Sequence, residues 1–170
     1  TGVIEILKAM GADIAIQNVR LFGEEPVADL TVSSSILHGI DVDPAKVSLA
    51  IDEFPVLFIA AACAQGKTTF SGIGELRVKE SDRIDVVVEE FTRLGARITP
   101  HPDGYEIEGP QQLHGATVRS HRQRHGQPVA GLSVGGSDPT IIEDAQELNE
   151  SFPGFVETLQ NLGANIETDA

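Results

Sequence analysis

The chain has 170 residues, of which 41% are hydrophobic and 22% charged, so it is long enough for one globular domain and is not disordered. The formal net charge of −14 argues against nucleic acid or an anionic membrane as a partner, and any anion-binding site must therefore be local. The single cysteine, Cys63, excludes an internal disulfide and suits a reducing compartment. We expect a cytoplasmic protein in which Cys63 is a small apolar residue of a buried segment.

One supersecondary unit recurs three times along the chain. Gly-Ala-x-Ile occurs at Gly11–Ile14, Gly95–Ile98 and Gly163–Ile166. Apolar residues precede each glycine at the spacing of one helix face, so we predict three helices that end at a capping glycine and lead into a strand. Ile84 and Phe152 extend the apolar face by one turn in the second and third copies. The side chains predicted to be buried together are Ile4, Leu7, Val88, Phe91, Val156 and Leu159.

Shorter patterns lie between the repeated helices. Leu37-His-Gly39 recurs as Leu113-His-Gly115, and each copy follows a strand-like stretch, at 30–32 and at 105–107. An apolar helix is predicted at 54–64, and strands at 68–71 and 140–142. Because the repeats are too far apart for a solenoid, they predict a pseudo-threefold α/β architecture. We interpret His38 and His114 as turn residues rather than metal ligands.

The segment Gln65-Gly-Lys-Thr-Thr69 resembles the end of a phosphate-binding loop. The first glycine of such a loop would fall at position 61, which is alanine, and the segment follows a predicted helix rather than a strand. We therefore interpret it as a helix exit that leads into a strand.

The charged segment 75–83 lies just before the second repeated helix. Ser81 or Asp82 is a suitable N-cap, which places Lys79 and Glu80 at the positive end of the helix dipole, where anions bind well. A solvated, salt-bridged helix start explains the same residues. However, a cation in the first turn is unfavourable for helix stability because it opposes the dipole, and Arg83 is therefore a candidate for function.

Three further segments allow two interpretations each. Segments 51–55 and 151–153 combine helix-start residues with a proline, which is ordinary for a helix N-terminus. In a pseudo-threefold fold, however, several such N-termini facing one way would attract anions. The basic segment 119–125 is either a surface loop or an anion clamp.

The segment Leu76-Arg-Val-Lys-Glu-Ser-Asp-Arg-Ile84 resembles the signature of EPSP synthases, the 3-phosphoshikimate 1-carboxyvinyltransferases. Segments 51–55, 151–155 and 1–3 with 10–14 resemble the same family in the same order, so the resemblance covers essentially the whole chain and is nearest to the glyphosate-tolerant bacterial subgroup. It implies an α/β (α+β) fold, a pseudo-threefold inside-out α/β barrel of repeated βαβαββ units. It also implies that residues 1–170 form a single domain, the C-terminal half of a two-domain enolpyruvyl transferase that needs a complementary N-terminal domain.

The resemblance also implies the site. Shikimate 3-phosphate and phosphoenolpyruvate would be the substrates, and glyphosate an inhibitor. Asp52 would face the 5-hydroxyl of shikimate 3-phosphate, and Glu80 would transfer a proton near the carbon that becomes a methyl group. Lys79 would contact shikimate 3-phosphate and Arg83 phosphoenolpyruvate, with Arg124 as a further phosphoenolpyruvate ligand. No metal or organic cofactor is implied.

One segment departs from the family pattern. Where the family has Asp-His-Arg followed by an apolar helix, residues 120–128 are shorter and include Pro128, which disfavours a helix. We expect this segment to be irregular, and the register of Arg124 stays open. Two alternatives also stay open, a UDP-sugar enolpyruvyl transferase and a non-catalytic α/β module of the same fold.

Overall fold

The computed structural model describes residues 2–47, 49–50, 53–73, 88–119, 138–143, 145 and 152–168. The helices are α1 (Gly2–Ala9), α2 (Pro44–Val47), α3 (Phe54–Cys63), α4 (helical residues 88–93) and α5 (Phe155–Asn161). The strands are β1 (Asp13–Phe22), β2 (Glu25–Ser33), β3 (Asp41–Val42), β4 (Gly66–Ser71), β5 (Ile98–His101), β6 (Gly104–Gly109), β7 (Thr117–Arg119) and β8 (Ile141–Glu143). In the described part of the chain, no helix is long and apolar enough to cross a membrane.

The strands form three sheets in the described residues. A four-stranded sheet has the order β3-β4-β6-β5, in which β3 runs parallel to β4 and β6 runs antiparallel to it. The other two sheets are the antiparallel hairpin β1-β2 and the parallel pair β7-β8. In chain order, β3-α3-β4-α4-β5-β6 is one complete βαβαββ unit, preceded by α1-β1-β2, the second half of such a unit.

The chain divides into two compact units, residues 1–75 with 99–110 and residues 76–98 with 111–170. The core of the first unit is an aromatic cluster that joins α3 to the sheet. Phe58 lies at its centre, with ring centroids 6.0 Å from Phe54, 5.2 Å from Phe70 and 5.7 Å from Tyr105. All four rings are buried, as offset and edge-on aromatic packing favours. This confirms the buried apolar helix predicted at 54–64.

In the second unit, the described core comprises Phe91 and Leu94 with Ala96 and Val118, all of them buried. Phe91 is the largest of these side chains and is 0% exposed. The second repeated helix therefore buries Phe91 and Leu94, as the sequence predicts, whereas Val88 is only half-buried. Ile84 and Val87, predicted for the same face, lie outside the described residues.

The two repeated motifs, Gly-Ala-x-Ile and Leu-His-Gly, contact each other. Gly11 and Gly95 both have the left-handed conformation of a helix C-cap, with φ of 96° and 87°. The backbone N–H of His38 donates to the carbonyl of Met10, next to the first glycine, at 2.7 Å, and that of His114 donates to Leu94 at 3.0 Å. The recurrence of Leu-His-Gly follows from this contact, because each copy satisfies a carbonyl at a helix end.

The buried face of α1 differs from the predicted one. Its buried positions are Gly2 and Ile6, with Met10 just beyond the helix, whereas Ile4 and Leu7 are only half-buried. The reason is a close approach at Gly2, where an added Cβ would lie 3.1 Å from the carbonyl oxygen of Leu49. That contact turns the line of residues 2, 6 and 10 toward the core, so the prediction for Ile4 and Leu7 is wrong.

The third copy departs further from its prediction. In α5 no residue is buried, Val156 and Leu159 are half-buried, and Leu162 is 79% exposed. Phe152 precedes the helix in a bend and is 45% exposed, with its ring edge-on to that of Phe155 at a centroid distance of 5.7 Å. Residues 164–168 form no strand, although Gly163 keeps the capping φ of 98°. The glycine cap is thus a local property that the sequence predicts well, whereas strand formation needs a neighbouring strand.

Several smaller predictions are confirmed. The stretches 30–32, 68–71 and 105–107 lie in β2, β4 and β6, and the strand predicted at 140–142 is β8. Residues 65–69 lead from the end of α3 into β4, as expected for a helix exit rather than a phosphate-binding loop.

Cys63 is exposed at the end of α3, contrary to the expectation of a buried position. Neighbouring protein atoms nevertheless raise the pKa of its thiol by desolvation. Because the thiolate is the nucleophile, a raised pKa leaves less of it at neutral pH. We expect a disulfide reagent to label Cys63 more slowly than free cysteine at pH 7 and to approach the rate of free cysteine as the pH rises. Equal rates at pH 7 would contradict this.

Candidate active site

All five residues predicted for the site, Asp52, Lys79, Glu80, Arg83 and Arg124, lie outside the described residues. The structure therefore does not test their predicted roles, which stay predictions. It does describe elements on both sides of these positions, and it shows what holds those elements in place.

Asp52 lies next to Glu53, the N-cap residue of α3. The helix begins at Phe54 with a proline in its first turn, where the missing N–H of proline costs nothing. Glu53 makes no side-chain capping hydrogen bond, and its carbonyl accepts from the N–H of Leu57 at 3.1 Å. Phe54, which is 2% exposed, anchors this end of the helix in the aromatic cluster. The backbone after Asp52 is therefore attached to the buried aromatic cluster of the first unit.

The chain that leads toward Lys79 and Glu80 is held at the end of β4. The N–H of Gly72 donates to a carboxylate oxygen of Asp103 at 3.0 Å, and the N–H of Ile73 donates to the carbonyl of Asp103 at 3.0 Å. Ile73 itself is fully buried. Asp103 thus clamps the exit of β4 to the turn between β5 and β6, a role that its position in a polar turn does not reveal from sequence.

Glu90 in α4 is a buried carboxylate that the sequence analysis did not single out. It is 1% exposed, and its Oε1 lies 3.4 Å from a guanidinium nitrogen of Arg93. Arg93 also bonds Glu89 at 2.8 Å, so one guanidinium serves two carboxylates on the same helix. A buried carboxylate needs such a partner, because an uncompensated charge is costly to bury. In the sequence, Glu89 and Glu90 lie four and three residues before Arg93, and this spacing on a helix predicts the two ion pairs.

On the side of Arg124, the last residues that the structure describes before position 124 are those of β7. This strand pairs in parallel with β8, from Thr117 opposite Ile141 to Arg119 opposite Glu143. Gly115 makes this possible, because an added Cβ there would lie 2.2 Å from the carbonyl oxygen of Pro139. The segment 120–128, where the sequence departs from the family pattern, lies outside the described residues, and so does the prediction that it is irregular.

Two solved structures show the class of protein to which this fold belongs. The chain matches an EPSP synthase from Acinetobacter baumannii with a TM-score of 0.88 and 42% identity, over 100% of this chain and 40% of that one. It also matches the enolpyruvyl transferase NikO from Streptomyces tendae with a TM-score of 0.71 over 99% of this chain and 36% of that one, a likeness of fold alone at 19% identity. The fold is that of the enolpyruvyl transferases, the inside-out α/β barrel predicted from the sequence.

Sequence comparisons then identify the family. The family model for EPSP synthase (3-phosphoshikimate 1-carboxyvinyltransferase) matches residues 1–159. A 3-phosphoshikimate 1-carboxyvinyltransferase from Alkalilimnicola ehrlichii is 51% identical over 167 residues, 98% of this chain and 37% of that protein. One from Halorhodospira halophila is 49% identical over 170 residues, 99% of this chain and 38% of that protein. The chain belongs to the EPSP synthase family, and it spans less than half the length of these relatives.

Proposed function

We propose that this chain supplies part of the active site of a 3-phosphoshikimate 1-carboxyvinyltransferase. Such an enzyme transfers the enolpyruvyl group of phosphoenolpyruvate to the 5-hydroxyl of shikimate 3-phosphate and releases inorganic phosphate. The observation that carries this proposal is the match to the family model over residues 1–159, well beyond any single motif. The remainder of the active site comes from a complementary N-terminal domain, in keeping with the greater length of the relatives.

The proposed reaction is an addition followed by an elimination. The 5-hydroxyl oxygen bonds to C2 of phosphoenolpyruvate and loses its proton, while the methylene carbon gains a proton and becomes a methyl group. The bond from C2 to the phosphate oxygen then breaks, and the methyl group loses a proton to restore the double bond. Each step needs one acid and one base, and we assign this work to Asp52 beside the hydroxyl and to Glu80 beside the methylene carbon.

In this proposal the basic residues bind the anionic substrates. Both substrates are anions, and the chain has a net charge of −14, so local cations must offset the repulsion before the reacting atoms can meet. We assign Lys79 to shikimate 3-phosphate and Arg83 to phosphoenolpyruvate, with Arg124 as a second phosphoenolpyruvate ligand. A guanidinium suits this task because its planar fork binds a carboxylate or phosphate through two hydrogen bonds. The proposed chemistry needs no metal or organic cofactor, and the single cysteine supports a cytoplasmic site of action.

A chimera tests the proposal. The segment of the Alkalilimnicola ehrlichii enzyme that matches this chain is replaced by residues 1–170, and phosphate release is measured with shikimate 3-phosphate and phosphoenolpyruvate. We expect turnover by the chimera and none by the 170-residue chain alone, because a partial site neither positions both substrates nor excludes water. The unmodified relative is the positive control.

Three outcomes would contradict the proposal. Turnover by the 170-residue chain alone would show that it holds a whole active site. A folded chimera that is inactive with shikimate 3-phosphate but active with a UDP-sugar acceptor would assign the chain to the alternative transferase. A folded chimera inactive with both acceptors would favour the non-catalytic module.

A further inference from the structure

Asp52 lies between two described residues, Ala50 and Glu53, that a backbone hydrogen bond joins. The N–H of Glu53 donates to the carbonyl of Ala50 at 3.1 Å. Ala50 is 0% exposed, and Glu53 is the N-cap of α3, whose first residue, Phe54, is 2% exposed. The backbone on either side of Asp52 is therefore held by this bond and by the buried core of the first unit.

The position of Ala50 depends in turn on α2. The N–H of Ala50 donates to the carbonyl of Val47 at 3.1 Å, and the N–H of Leu49 donates to that of Lys46 at 3.1 Å. Val47, the last residue of α2, is 0% exposed. Because these bonds link each residue to the one three positions earlier, a shift of Leu49 moves Ala50 with it. It thereby moves one end of the connection that contains Asp52.

α1 contacts this segment at two points. The Nζ of Lys46 lies 3.1 Å from Oε2 of Glu5, in an ion pair whose side chains are 37% and 55% exposed. Such an exposed pair adds little stability, because water and salt screen it. At the second point, a Cβ added to Gly2 would lie 3.1 Å from the carbonyl oxygen of Leu49 and 3.2 Å from its carbonyl carbon. α1 therefore meets the backbone of Leu49 directly.

Space, rather than backbone conformation, is the reason for glycine at position 2. The φ of Gly2 is not positive, and alanine is the better helix former, so helix formation alone would favour alanine there. With a Cβ at this position, however, Leu49 would have to move by a few tenths of an ångström. The absence of a side chain at Gly2 thus sets how near α1 comes to the segment that ends at Ala50.

We propose that Gly2 is a positioning residue for Asp52. This inference rests on the proposed function, in which Asp52 transfers the proton of the 5-hydroxyl. By letting α1 approach Leu49, Gly2 sets the start of the connection from Ala50 to Glu53, and hence the distance from Asp52 to that hydroxyl. Proton transfer requires the two groups to lie within hydrogen-bond reach, so its rate is sensitive to small displacements. Substrate binding is the task of the basic residues and depends much less on this contact.

Gly2→Ala in the active chimera, where position 2 is internal, separates positioning from stability. We expect kcat to fall by about 3- to 10-fold, since a misplacement of about 1 Å can cost about 100-fold. KM should change much less, because the loss falls on the transition state. The urea midpoint should stay near that of the parent, because the gain in helix propensity offsets the displacement. The control is Ala9→Ser, which adds one heavy atom at an exposed position of the same helix and should leave kcat and KM unchanged.

The hydrogen bond across Asp52 gives a readout that needs no turnover. In Gly2→Ala, the amide of Glu53 should exchange its hydrogen faster than in the parent, because the carbonyl of Ala50 is displaced. The amide of Ala96, which donates to Phe91 at 2.9 Å in the second unit, is the internal control and should exchange at the parent rate. An unchanged exchange rate at Glu53 would overturn the inference.

A double-mutant cycle shows whether the loss of kcat passes through Asp52. In the Asp52→Asn background no carboxylate remains to be misplaced, so Gly2→Ala should cause no further loss. Equal fold losses in both backgrounds would place the effect of Gly2 elsewhere in the fold and overturn the inference, and so would a parent kcat for Gly2→Ala. The two proposals fail separately. An inactive parent chimera contradicts the proposed function, whereas these outcomes arise only in an active chimera and contradict the positioning role alone.

Discussion

Glu80→Gln in the active chimera should lower kcat by about 10²- to 10⁴-fold, the usual contribution of one general acid or base. The amide keeps the shape of the side chain and can form hydrogen bonds, but it neither donates nor accepts the proton that the methylene carbon needs. KM should change much less, because the loss falls on the transition state rather than on the bound substrates. Asp52→Asn should behave in the same way for the 5-hydroxyl proton.

The matched control is Glu24→Gln, which makes the same chemical change at an exposed position in the turn between β1 and β2. It should leave kcat and KM at the values of the parent chimera. Initial rates at several concentrations of each substrate separate the two constants. If Glu80→Gln and Asp52→Asn both retained near-normal kcat, these acids would be helix-start residues and the proposed division of proton transfer would be wrong.

Phe91→Ala should reduce the free energy of unfolding of the chain by about 3–5 kcal/mol, the range for removing a large buried aromatic side chain. Phe91 is 0% exposed and lies in the small described core of the second unit, with Leu94 and Val118. The truncation removes apolar contacts and leaves a cavity that the surrounding residues fill only in part. Because α5 buries no residue, few other buried side chains are described in that unit, and the contacts of Phe91 are a large share of its described core.

The comparison is Phe22→Ala, which removes the same ring from a position that is 80% exposed. Urea unfolding of both variants, followed by circular dichroism, should show a change of less than about 0.5 kcal/mol for Phe22→Ala. A loss of under 1 kcal/mol for Phe91→Ala would show that its burial contributes little to stability.

The features that the sequence predicts correctly are those with a local physical signature. Helix ends at Gly11 and Gly95 follow from the need for a left-handed residue, and the apolar helix at 54–64 follows from an unbroken hydrophobic run. The repeats predict a pseudo-threefold α/β architecture, the family resemblance implies an inside-out barrel, and the similar solved structures confirm that fold.

The features that the sequence mispredicts depend on contacts made elsewhere in the fold. The face that α1 buries is chosen by the approach of Leu49 to Gly2, which no periodicity within the helix contains. The strand expected after Gly163 has no counterpart in residues 164–168, since a strand needs a partner as well as a suitable sequence. The predictions for Asp52, Glu80, Lys79, Arg83 and Arg124 rest on motif similarity and await the chimera.

The contact between the capping glycine and the histidine of the repeated motifs is closer in the second copy than in the first, so substitution of the glycine is more constrained in the second copy. In the second copy, a Cβ on Gly95 would lie 2.7 Å from the imidazole ring of His114, whereas in the first copy a Cβ on Gly11 would lie 3.7 Å from the ring of His38. Backbone conformation alone favours glycine at position 11, whereas at position 95 the ring of His114 must also shift to admit a side chain. Asparagine, which tolerates the left-handed conformation, is therefore an accessible evolutionary step in the first copy. In the second copy the same step also requires the ring of His114 to move.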